Sequence, residues 1–338
     1  EDRKQFTKVT ISENENKVIS ISSGQDHTFL LTDNGDVFCA GNNSYGQLGL
    51  NDNEERNKFT KVTIPDNDNK VIAISSAQYH TFILTDNGDV FCTGDNEEGQ
   101  LGLNDNEDRK QFTKVTISEN ENKVVSISSG GNHTFLLTDN GDVFCTGWNN
   151  QGQLGLNDNE DRKQFTRVTI PENDNKVISI SSAQYHTFLL RENGDVFCTG
   201  NNYSGQLGLN HTDNRKKFTR VTIPENDNKV VSISSGGLYT FLLTDNGNVF
   251  CTGDNYYGQL GLNDRNKRKQ FTKVDIPGND NKVVSISSGV DHTFLLTDNG
   301  DVFCTGKNRY GQLGLNHEED RKQFTKVIIP ENENKVIS

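Results

Sequence analysis

The sequence contains no methionine, one tryptophan and five prolines in 338 residues. Because a natural chain begins with methionine, its absence predicts that this is a trimmed fragment of a longer protein. No stretch approaches the roughly 18 to 20 consecutive apolar residues that a membrane-spanning helix needs. The opening residues, Glu1 to Lys4, do not resemble a signal peptide. We therefore expect a soluble protein that contacts no membrane.

Basic residues are also few, with 34 Lys and Arg against 47 Asp and Glu, for a formal net charge of -13. A strongly negative chain repels phosphate backbones and anionic lipid surfaces. The composition therefore predicts that nucleic acid is not a partner.

The six cysteines are spaced evenly, unlike the irregular pairs of a disulfide framework. They stand at positions 39, 92, 145, 198, 251 and 304. Even spacing predicts free thiols, which persist in reducing compartments. The expected location is therefore intracellular, either in the cytoplasm or incorporated in a virus particle.

The dominant feature of the sequence is a repeat of 53 residues, which shows in the hexapeptide Gly-Gln-Leu-Gly-Leu-Asn that begins at Gly46 and returns at Gly99. The same hexapeptide begins again at Gly152, Gly205, Gly258 and Gly311. Residues 319–338 repeat residues 1–20 with two substitutions. The chain therefore begins and ends inside a repeat.

Each repeat shows the pattern of four short strands. In the first copy we predict strands over 17–23, 27–32, 36–40 and 59–64. The Asn34-Gly35 pair predicts a hairpin between the second and third, with positive φ at both central residues. No segment holds a helical apolar period over 11 residues or more. A four-stranded unit cannot bury both faces alone, so the repeats must stack, and radial stacking gives a propeller.

Several fixed positions make the repeat similar to that of the regulator of chromosome condensation family. They are Ile21-Ser22-Ser23-Gly24, His27-Thr28, Leu31-Thr32, Gly35-Asp36-Val37, Gly41, Asn43 and Gly46-Gln47-Leu48-Gly49. The resemblance covers essentially the whole chain and implies an all-β fold, a β-propeller of four-stranded antiparallel blades, in a single domain over 1–338. Complete blades are expected over 17–64, 70–117, 123–170, 176–223, 229–276 and 282–329.

The family usually has seven blades, whereas this sequence encodes six complete ones. An extra outer strand is expected over Phe6 to Ile11 and a truncated inner strand over Lys335 to Ser338, within partial repeats at 1–16 and 330–338. Two arrangements remain open at this point. Either a six-bladed ring closes with redundant ends, or a seventh blade is incomplete.

Three residue patterns could indicate chemistry, and each has a structural explanation. Histidines open the second strand at His27, His80, His133, His186 and His292, while the fifth repeat has Tyr239. We expect these side chains to hydrogen-bond between blades rather than bind a metal. The cysteines are expected to be buried and unreactive. The acidic strings at 51–55 and 172–175 lack the order of a calcium loop and are read as solvated turns.

The repeats differ from one another mainly in two loops, one after the third strand and one before the second. In an up-down-up-down blade both loops lie at the same end, where loops on a rigid scaffold commonly bind partners. Tyr, Trp and Arg are the usual anchors of interfaces. The candidate contact residues are Tyr45, Tyr79, Glu97, Glu98, Trp148, Gln151, Tyr185, Tyr203, Tyr256, Tyr257, Arg309 and Tyr310.

These observations favour a non-catalytic protein-binding or assembly scaffold, with no catalytic residue, metal or cofactor. The family resemblance implies an alternative, guanine-nucleotide exchange on a small GTPase. Family exchangers add an insertion and a basic tail, for which the unbroken 53-residue period leaves no room. A second alternative is a structural component of a larger assembly such as a virus particle, with self-assembly in place of a separate partner.

Overall fold

The computed structural model describes residues 4–6, 9, 11, 16–65, 68–117, 122–171, 175–224, 228–278, 281–329 and 336. All regular secondary structure in these ranges is β-strand, and they contain no helix that could cross a membrane. The chain divides into two compact units. The first unit is Thr10–Ser182, and the second unit combines Glu1–Val9 with Ala183–Ser338.

The strands recur with the 53-residue period. The first unit contains β1 (Val18–Ser23), β2 (His27–Thr32), β3 (Val37–Gly41), β4 (Arg56–Lys61), β5 (Val71–Ser76), β6 (His80–Thr85), β7 (Val90–Gly94), β8 (Arg109–Lys114), β9 (Val124–Ser129), β10 (His133–Thr138), β11 (Val143–Gly147), β12 (Arg162–Arg167) and β13 (Val177–Ser182). The second unit contains β14 (His186–Arg191), β15 (Val196–Gly200), β16 (Arg215–Arg220), β17 (Val230–Ser235), β18 (Tyr239–Thr244), β19 (Val249–Gly253), β20 (Arg268–Lys273), β21 (Val283–Ser288), β22 (His292–Thr297), β23 (Val302–Gly306) and β24 (Arg321–Lys326).

The strands of the described residues form six sheets of four strands, and strand order in each sheet follows chain order. Neighbouring strands are antiparallel, as in β2 with β3, where His27 lies opposite Gly41. This arrangement confirms the predicted all-β fold class and the meander of four strands in each repeat.

The hairpin between the second and third strands forms where it was predicted, but with a different turn. Gly35 has a φ of 91° and its N–H donates to the Thr32 carbonyl at 2.9 Å. Asn34 is not among the residues with positive φ. The connection is therefore a type I turn followed by a left-handed glycine, which is the usual three-residue hairpin loop. The predicted type I′ turn, with both central residues at positive φ, is wrong.

The fourth strand also differs from its prediction. It runs over Arg56–Lys61 instead of 59–64, and it pairs through Gly41 with Arg56 and Cys39 with Thr60, with a bulge between these two pairs. The prediction followed the apolar residues Phe59, Val62 and Ile64. The outer strand instead pairs through its backbone where its side chains are polar, so hydrophobic alternation does not mark its start.

The core consists of apolar layers between successive repeats within each unit. In the first unit Phe29, Leu31 and Val37 belong to the same buried cluster as Ile83, Phe91 and Phe112 of the next repeat. In the second unit a matching cluster joins Phe188 and Leu190 to Leu242, Phe250 and Phe271. Burial between repeats confirms that a single four-stranded sheet does not supply both sides of its own core.

Within each unit the repeated hexapeptide links a repeat to the outer strand that follows it in the stack. The Asn51 N–H donates to the Lys110 carbonyl at 2.7 Å, and Leu48 is fully buried. Asn51 adopts a φ of 65° and Gly49 a φ of 69°, and a Cβ on Gly49 would lie 2.5 Å from the Phe112 ring. Gly49 and Asn51 therefore both need a left-handed backbone, and the Phe112 ring leaves no room for a side chain at Gly49.

The N-terminal segment makes the same contact in the second unit. The Asn316 N–H donates to the Lys4 carbonyl at 2.9 Å, and the Phe6 ring meets Phe294 edge-on with centroids 6.3 Å apart. Lys4 and Phe6 thus stand where Lys110 and Phe112 stand in the first unit.

The strand predicted over Phe6 to Ile11 is not observed at the described residues 6, 9 and 11. The strand predicted over 335–338 lies outside the described residues except for residue 336, which is not in a strand.

A buried threonine supports the links at Thr93, Thr146, Thr252 and Thr305, and its removal should weaken the stack. The Thr146 hydroxyl lies 2.9 Å from the Gly99 carbonyl of the preceding repeat and 2.8 Å from the Arg162 carbonyl. Thr146→Ala removes the one hydroxyl proton that these two carbonyls share, and we expect a loss of about 1–3 kcal/mol in the free energy of unfolding. Urea denaturation would measure the loss.

The matched control for this prediction is Thr166→Ala. The Thr166 hydroxyl bonds to the exposed Gln164 carbonyl of its own strand, at 3.2 Å. We expect a change below about 0.5 kcal/mol for this surface substitution. Equal losses in the two variants would contradict the role assigned to Thr146.

Candidate interaction surface

The histidines at the start of the second strands form hydrogen bonds between repeats. In the first unit the His80 Nε2 atom lies 3.0 Å from the Thr134 hydroxyl, which itself donates to the Gln100 carbonyl at 3.1 Å. Because the hydroxyl has one proton, His80 must donate through Nε2, which leaves Nδ1 unprotonated. His27 with Thr81, and His186 with Thr240, repeat this pair at 3.0 Å. The prediction of hydrogen bonding between blades is confirmed for these pairs.

Burial keeps the imidazoles of His27, His80 and His133 in the first unit neutral. It lowers the pKa of His27 to about 4 and that of His80 and His133 to about 3. In the fifth repeat Tyr239 takes the histidine position, and its hydroxyl donates to the His292 carbonyl at 2.5 Å. Tyrosine therefore makes the same kind of link without a titrating group near neutral pH. Within the described ranges no three His, Cys, Asp or Glu side chains are grouped as metal ligands.

The six cysteines are free and buried, as predicted. The Cys39 thiol lies 3.7 Å from the Leu48 carbonyl of its own repeat. Burial raises the pKa of Cys39 and of Cys304 to about 12, so both thiols are protonated at neutral pH. A protonated, buried thiol is not a nucleophile. The reducing compartment inferred from these cysteines stays a prediction.

The two variable loops of each repeat lie side by side at the same end of the sheet. The N–H of the residue after the third strand donates to the carbonyl of the residue before the second. The pairs are Asn42 with Asp26, Asp95 with Tyr79, Trp148 with Asn132, Asn201 with Tyr185, Asp254 with Leu238, and Lys307 with Asp291, at 2.8–3.0 Å. The prediction that both loops share one end of the sheet is confirmed for each repeat.

Buried polar side chains hold the loop after the third strand in place. Asn43 is fully buried, and its Oδ1 accepts the Leu48 N–H at 2.9 Å while its Nδ2 donates to Asp52. Gln47 is also fully buried and its Oε1 accepts the Tyr45 N–H at 2.9 Å. The variable side chains therefore stand on a loop whose backbone is already ordered, which lowers the entropy lost on binding.

In the first unit the structure brings several candidate residues together. The Tyr45 ring lies 5.0 Å from the Tyr79 ring of the next repeat. Glu97 is exposed and Glu98 half-buried, and burial followed by the charge of Asp161 raises the pKa of Glu98. The loop of the second repeat is therefore acidic.

Two further candidates of the first unit, Trp148 and Gln151, are half-buried in the third repeat. The Gln151 N–H donates to the Gln153 side chain at 2.9 Å. Neither residue is as exposed as Tyr203, Tyr256 and Tyr310, so each offers only part of its side chain to a partner.

In the second unit several tyrosines are exposed, and one tyrosine pair lies beside cations. Tyr203, Tyr256 and Tyr310 are 72%, 62% and 64% exposed, whereas Tyr185 is half-buried. The Tyr256 and Tyr257 rings meet edge-on at 4.9 Å. Lys307 Nζ and the Arg309 guanidinium lie 4.9 and 5.8 Å from the Tyr257 ring centroid. Cations at these distances from a ring are attracted to its face.

Two cations of this surface were missed by the sequence reasoning. Arg265 donates to the Tyr256 carbonyl at 2.9 Å, and Lys267 Nζ lies 3.3 Å from Asp254. They occupy the connection just before the fourth strand, where the second repeat has Asn106 and Asp108. Comparing this third connection between repeats would have revealed the change of charge. We call Tyr256, Tyr257, Arg265, Lys267, Lys307 and Arg309 the basic-aromatic cluster.

Known proteins resemble this chain along its whole length. The profile described as RCC1-like domain matches residues 1–338. The ultraviolet-B receptor UVR8 of Arabidopsis thaliana is 30% identical over 331 residues, which cover 97% of this chain and 73% of the receptor. The human X-linked retinitis pigmentosa GTPase regulator is 33% identical over 317 residues, covering 92% of this chain. The chain spans only 30% of that regulator's length.

A solved structure agrees with the fold. The crystal structure of human WBSCR16 matches with a TM-score of 0.85 at 25% identity, over 94% of this chain and 83% of that one. Together with the six four-stranded sheets, the match identifies the fold class as a β-propeller of antiparallel blades. The resemblance seen in the repeat sequence is thereby confirmed, and the chain belongs to the RCC1-like domain family.

Proposed function

We propose that this chain is a non-catalytic protein-binding platform, and that its variable loops contact the partner. The observation that carries the proposal is the exposure of Tyr203, Tyr256 and Tyr310, each above 60%, on loops whose backbones are held by buried or half-buried Gln side chains. Tyrosine supplies a large contact area with few rotatable bonds, so it loses little entropy on binding. Exposed aromatic residues grouped on one surface are typical of interaction sites.

The geometry of the buried groups supports a role without catalysis. The thiols are protonated, and the second-strand histidines bond to threonines of the neighbouring repeat rather than to a nucleophile. A nucleophile and its base need to lie within hydrogen-bond reach of each other in an accessible place. The buried histidines and cysteines serve the packing between repeats instead.

Guanine-nucleotide exchange on a small GTPase is the second candidate, since one relative at 33% identity carries the name of a GTPase regulator. Release of a labelled guanine nucleotide from a panel of small GTPases separates the two candidates. Release that accelerates on adding this chain would favour exchange. Self-assembly into a larger structure would instead appear as ordered particles by negative-stain microscopy.

The binding proposal predicts that the loop aromatics are needed for partner capture. Changing Trp148, Tyr203, Tyr256, Tyr257 and Tyr310 together to serine should reduce capture of a partner by at least about tenfold, because anchor side chains dominate interface energies. Affinity capture with quantitative mass spectrometry would identify the partner, and calorimetry with the purified partner would measure the change.

The matched control changes five aspartates at the opposite end of the sheets to serine. They are Asp33, Asp86, Asp139, Asp245 and Asp298, all exposed in the hairpin turns between second and third strands. We expect this variant to bind as the original chain does. If both variants lost binding equally, or neither did, the loops would not be the binding surface.

A further inference from the structure

The outward charge of the basic-aromatic cluster is positive. Arg265 and Lys267 side chains are 49% and 56% exposed, whereas their partners Asp320 and Asp254 are 14% and 15% exposed. Arg309 is exposed beside the Tyr257 ring. The carboxylates thus lie beneath the cations, and a binding partner would meet guanidinium and ammonium groups first.

The equivalent positions of the second repeat carry the opposite charge. Glu98 occupies the place of Tyr257, and Asp108 the place of Lys267. The Asp108 carboxylate accepts the Asn96 N–H at 2.9 Å, while Lys267 instead reaches Asp254 and the Ser204 hydroxyl. The positive charge therefore comes from Arg265 and Lys267 of the fifth repeat with Lys307 and Arg309 of the sixth, and the sixth repeat has Glu318 and Asp320 at the places of Arg265 and Lys267.

The local charge matters even though the whole chain carries a net charge of -13. At physiological salt, exposed charges are largely screened beyond about 8 Å. A short ligand on the cluster therefore interacts mainly with the nearby cations. A long polyanion would extend across the remaining, negative surface and be repelled.

We propose that the basic-aromatic cluster binds an acidic peptide segment of a protein partner, an inference that rests on the proposed binding function. Arginine pairs with carboxylates through two parallel hydrogen bonds, and the exposed Tyr256 ring supplies apolar contact beside them. The four cations of the cluster lie beside three carboxylates, those of Asp254, Asp291 and Asp320, which leaves an excess of one positive charge. This modest excess suits a few carboxylates, whereas a nucleic acid backbone is bound through many phosphate contacts.

Charge reversal at Arg309 tests the proposal. The probe is a fluorescein-labelled peptide of alternating glutamate and serine, titrated with the full chain and followed by fluorescence anisotropy. Arg309→Glu should weaken binding about tenfold, because it replaces an attractive charge by a repulsive one at the contact. Arg309 is exposed on a loop held by the buried Asn308 side chain, so the variant is expected to fold.

The matched control is Lys217→Glu, which makes the same change in net charge. Lys217 is an exposed residue of β16 in the same unit, outside the cluster. We expect less than a twofold change for this variant, and we expect binding to the original chain to weaken with added salt. Equal weakening by both variants, or no binding of the peptide at all, would overturn the assignment.

Two further measurements separate the alternatives. A short duplex RNA of matched charge should bind more weakly than the peptide, and tighter binding that is lost in Arg309→Glu would overturn the peptide in favour of a nucleic acid. The serine variant of the five loop aromatics addresses the proposed function separately. In one outcome the serine variant loses its captured partner while Arg309→Glu still binds both the partner and the peptide. That result would support the proposed binding function and contradict the assignment of an acidic peptide to the cluster.

Discussion

Acidification from about pH 7 to pH 5 is expected to destabilise the protein by several kcal/mol, through its buried histidines. Burial lowers the pKa of His27 to about 4 and that of His80 and His133 to about 3. The unfolded value is about 6.5. A group whose pKa is lower in the folded state gives stability that is fully present above the unfolded pKa. That stability is lost as the pH falls towards the folded pKa, because only the unfolded chain takes up the proton.

The magnitude follows from the pKa differences. Each pH unit between the unfolded and folded values corresponds to about 1.4 kcal/mol for each histidine. At pH 5 the three histidines together then account for about 6 kcal/mol, a large share of the 5–15 kcal/mol typical of a folded domain. Carboxylates such as Asp264, whose pKa the Arg268 hydrogen bond lowers, contribute only at more acidic pH, below about 4.

Urea denaturation at a series of pH values would measure this dependence. His80→Gln removes one titrating group while keeping a side-chain N–H that can donate to the Thr134 hydroxyl. Between pH 6 and pH 4 the free energy of unfolding should fall less steeply with falling pH in the variant than in the original chain. The difference between the two slopes should be about 1.4 kcal/mol per pH unit. Between pH 8 and pH 7 the two slopes should agree, which serves as the internal control. A slope unchanged by the substitution would show that His80 does not stay neutral in the folded protein.

Replacing Gly147 by alanine is expected to cost about 3–5 kcal/mol, combining backbone strain with overpacking. Gly147 ends β11 with a φ of 97°, a conformation that residues with a Cβ rarely adopt. A Cβ built there lies 2.4 Å from the Asn132 carbonyl oxygen and 2.8 Å from the His133 Cα atom. Both neighbours are backbone atoms of the paired strand and its loop, so neither can turn aside.

The same substitution should displace the two variable loops of the third repeat. The Asn132 carbonyl accepts the Trp148 N–H at 2.9 Å, and this bond joins one loop to the other. We therefore expect a lower urea midpoint together with a change in Trp148 fluorescence of the folded state. Trp148 is the one tryptophan of the chain, so the signal reports this loop alone.

Gly278→Ala provides the matched control for backbone strain. Gly278 has a φ of 65°, and a Cβ built on it meets nothing within 4 Å. This variant should lose only the left-handed strain of about 1–2 kcal/mol and leave the tryptophan signal unchanged. Comparable losses in the free energy of unfolding of the two variants would mean that the close backbone contacts at Gly147 add nothing to the cost of the left-handed backbone.

Local patterns were enough to predict the inner parts of each repeat. The second strand was placed over its observed residues, His27 to Thr32, and the third within one residue of Val37–Gly41. Both strands are buried and bounded by a glycine turn, so their apolar residues mark them clearly. The role of the histidines was also predictable, because polar groups at buried strand starts need partners.

The outer strand and the turn type were not predictable in the same way. The outer strand is polar, and its register depends on a bulge opposite Gly41 rather than on side-chain alternation. The turn after Thr32 uses one left-handed glycine, whereas Asn-Gly alone is compatible with two turn types. Each depends on backbone pairing, which leaves little trace in the residue types.

Among the candidate contact residues, the sequence pointed to the aromatic ones but not to their surroundings. Tyr256 and Tyr257 were selected because the repeats differ there, yet the cations beside them come from another connection and from the next repeat. Lys307 lies 4.9 Å from the Tyr257 ring although about 50 residues separate them in the chain. Side chains of different repeats become neighbours because their sheets pack against each other, which the spacing along the chain does not show.

By itself the sequence determined that this protein is built from six copies of a four-stranded antiparallel unit, because hydrophobic alternation and glycine turns act over a few residues and recur at 53-residue intervals. Only the tertiary structure decided which side chains of different repeats meet, among them the histidine–threonine pairs and the basic-aromatic cluster. The physical reason is that contacts between sheets are set by packing across their faces, and a period along the chain does not encode which residues are opposed across that gap.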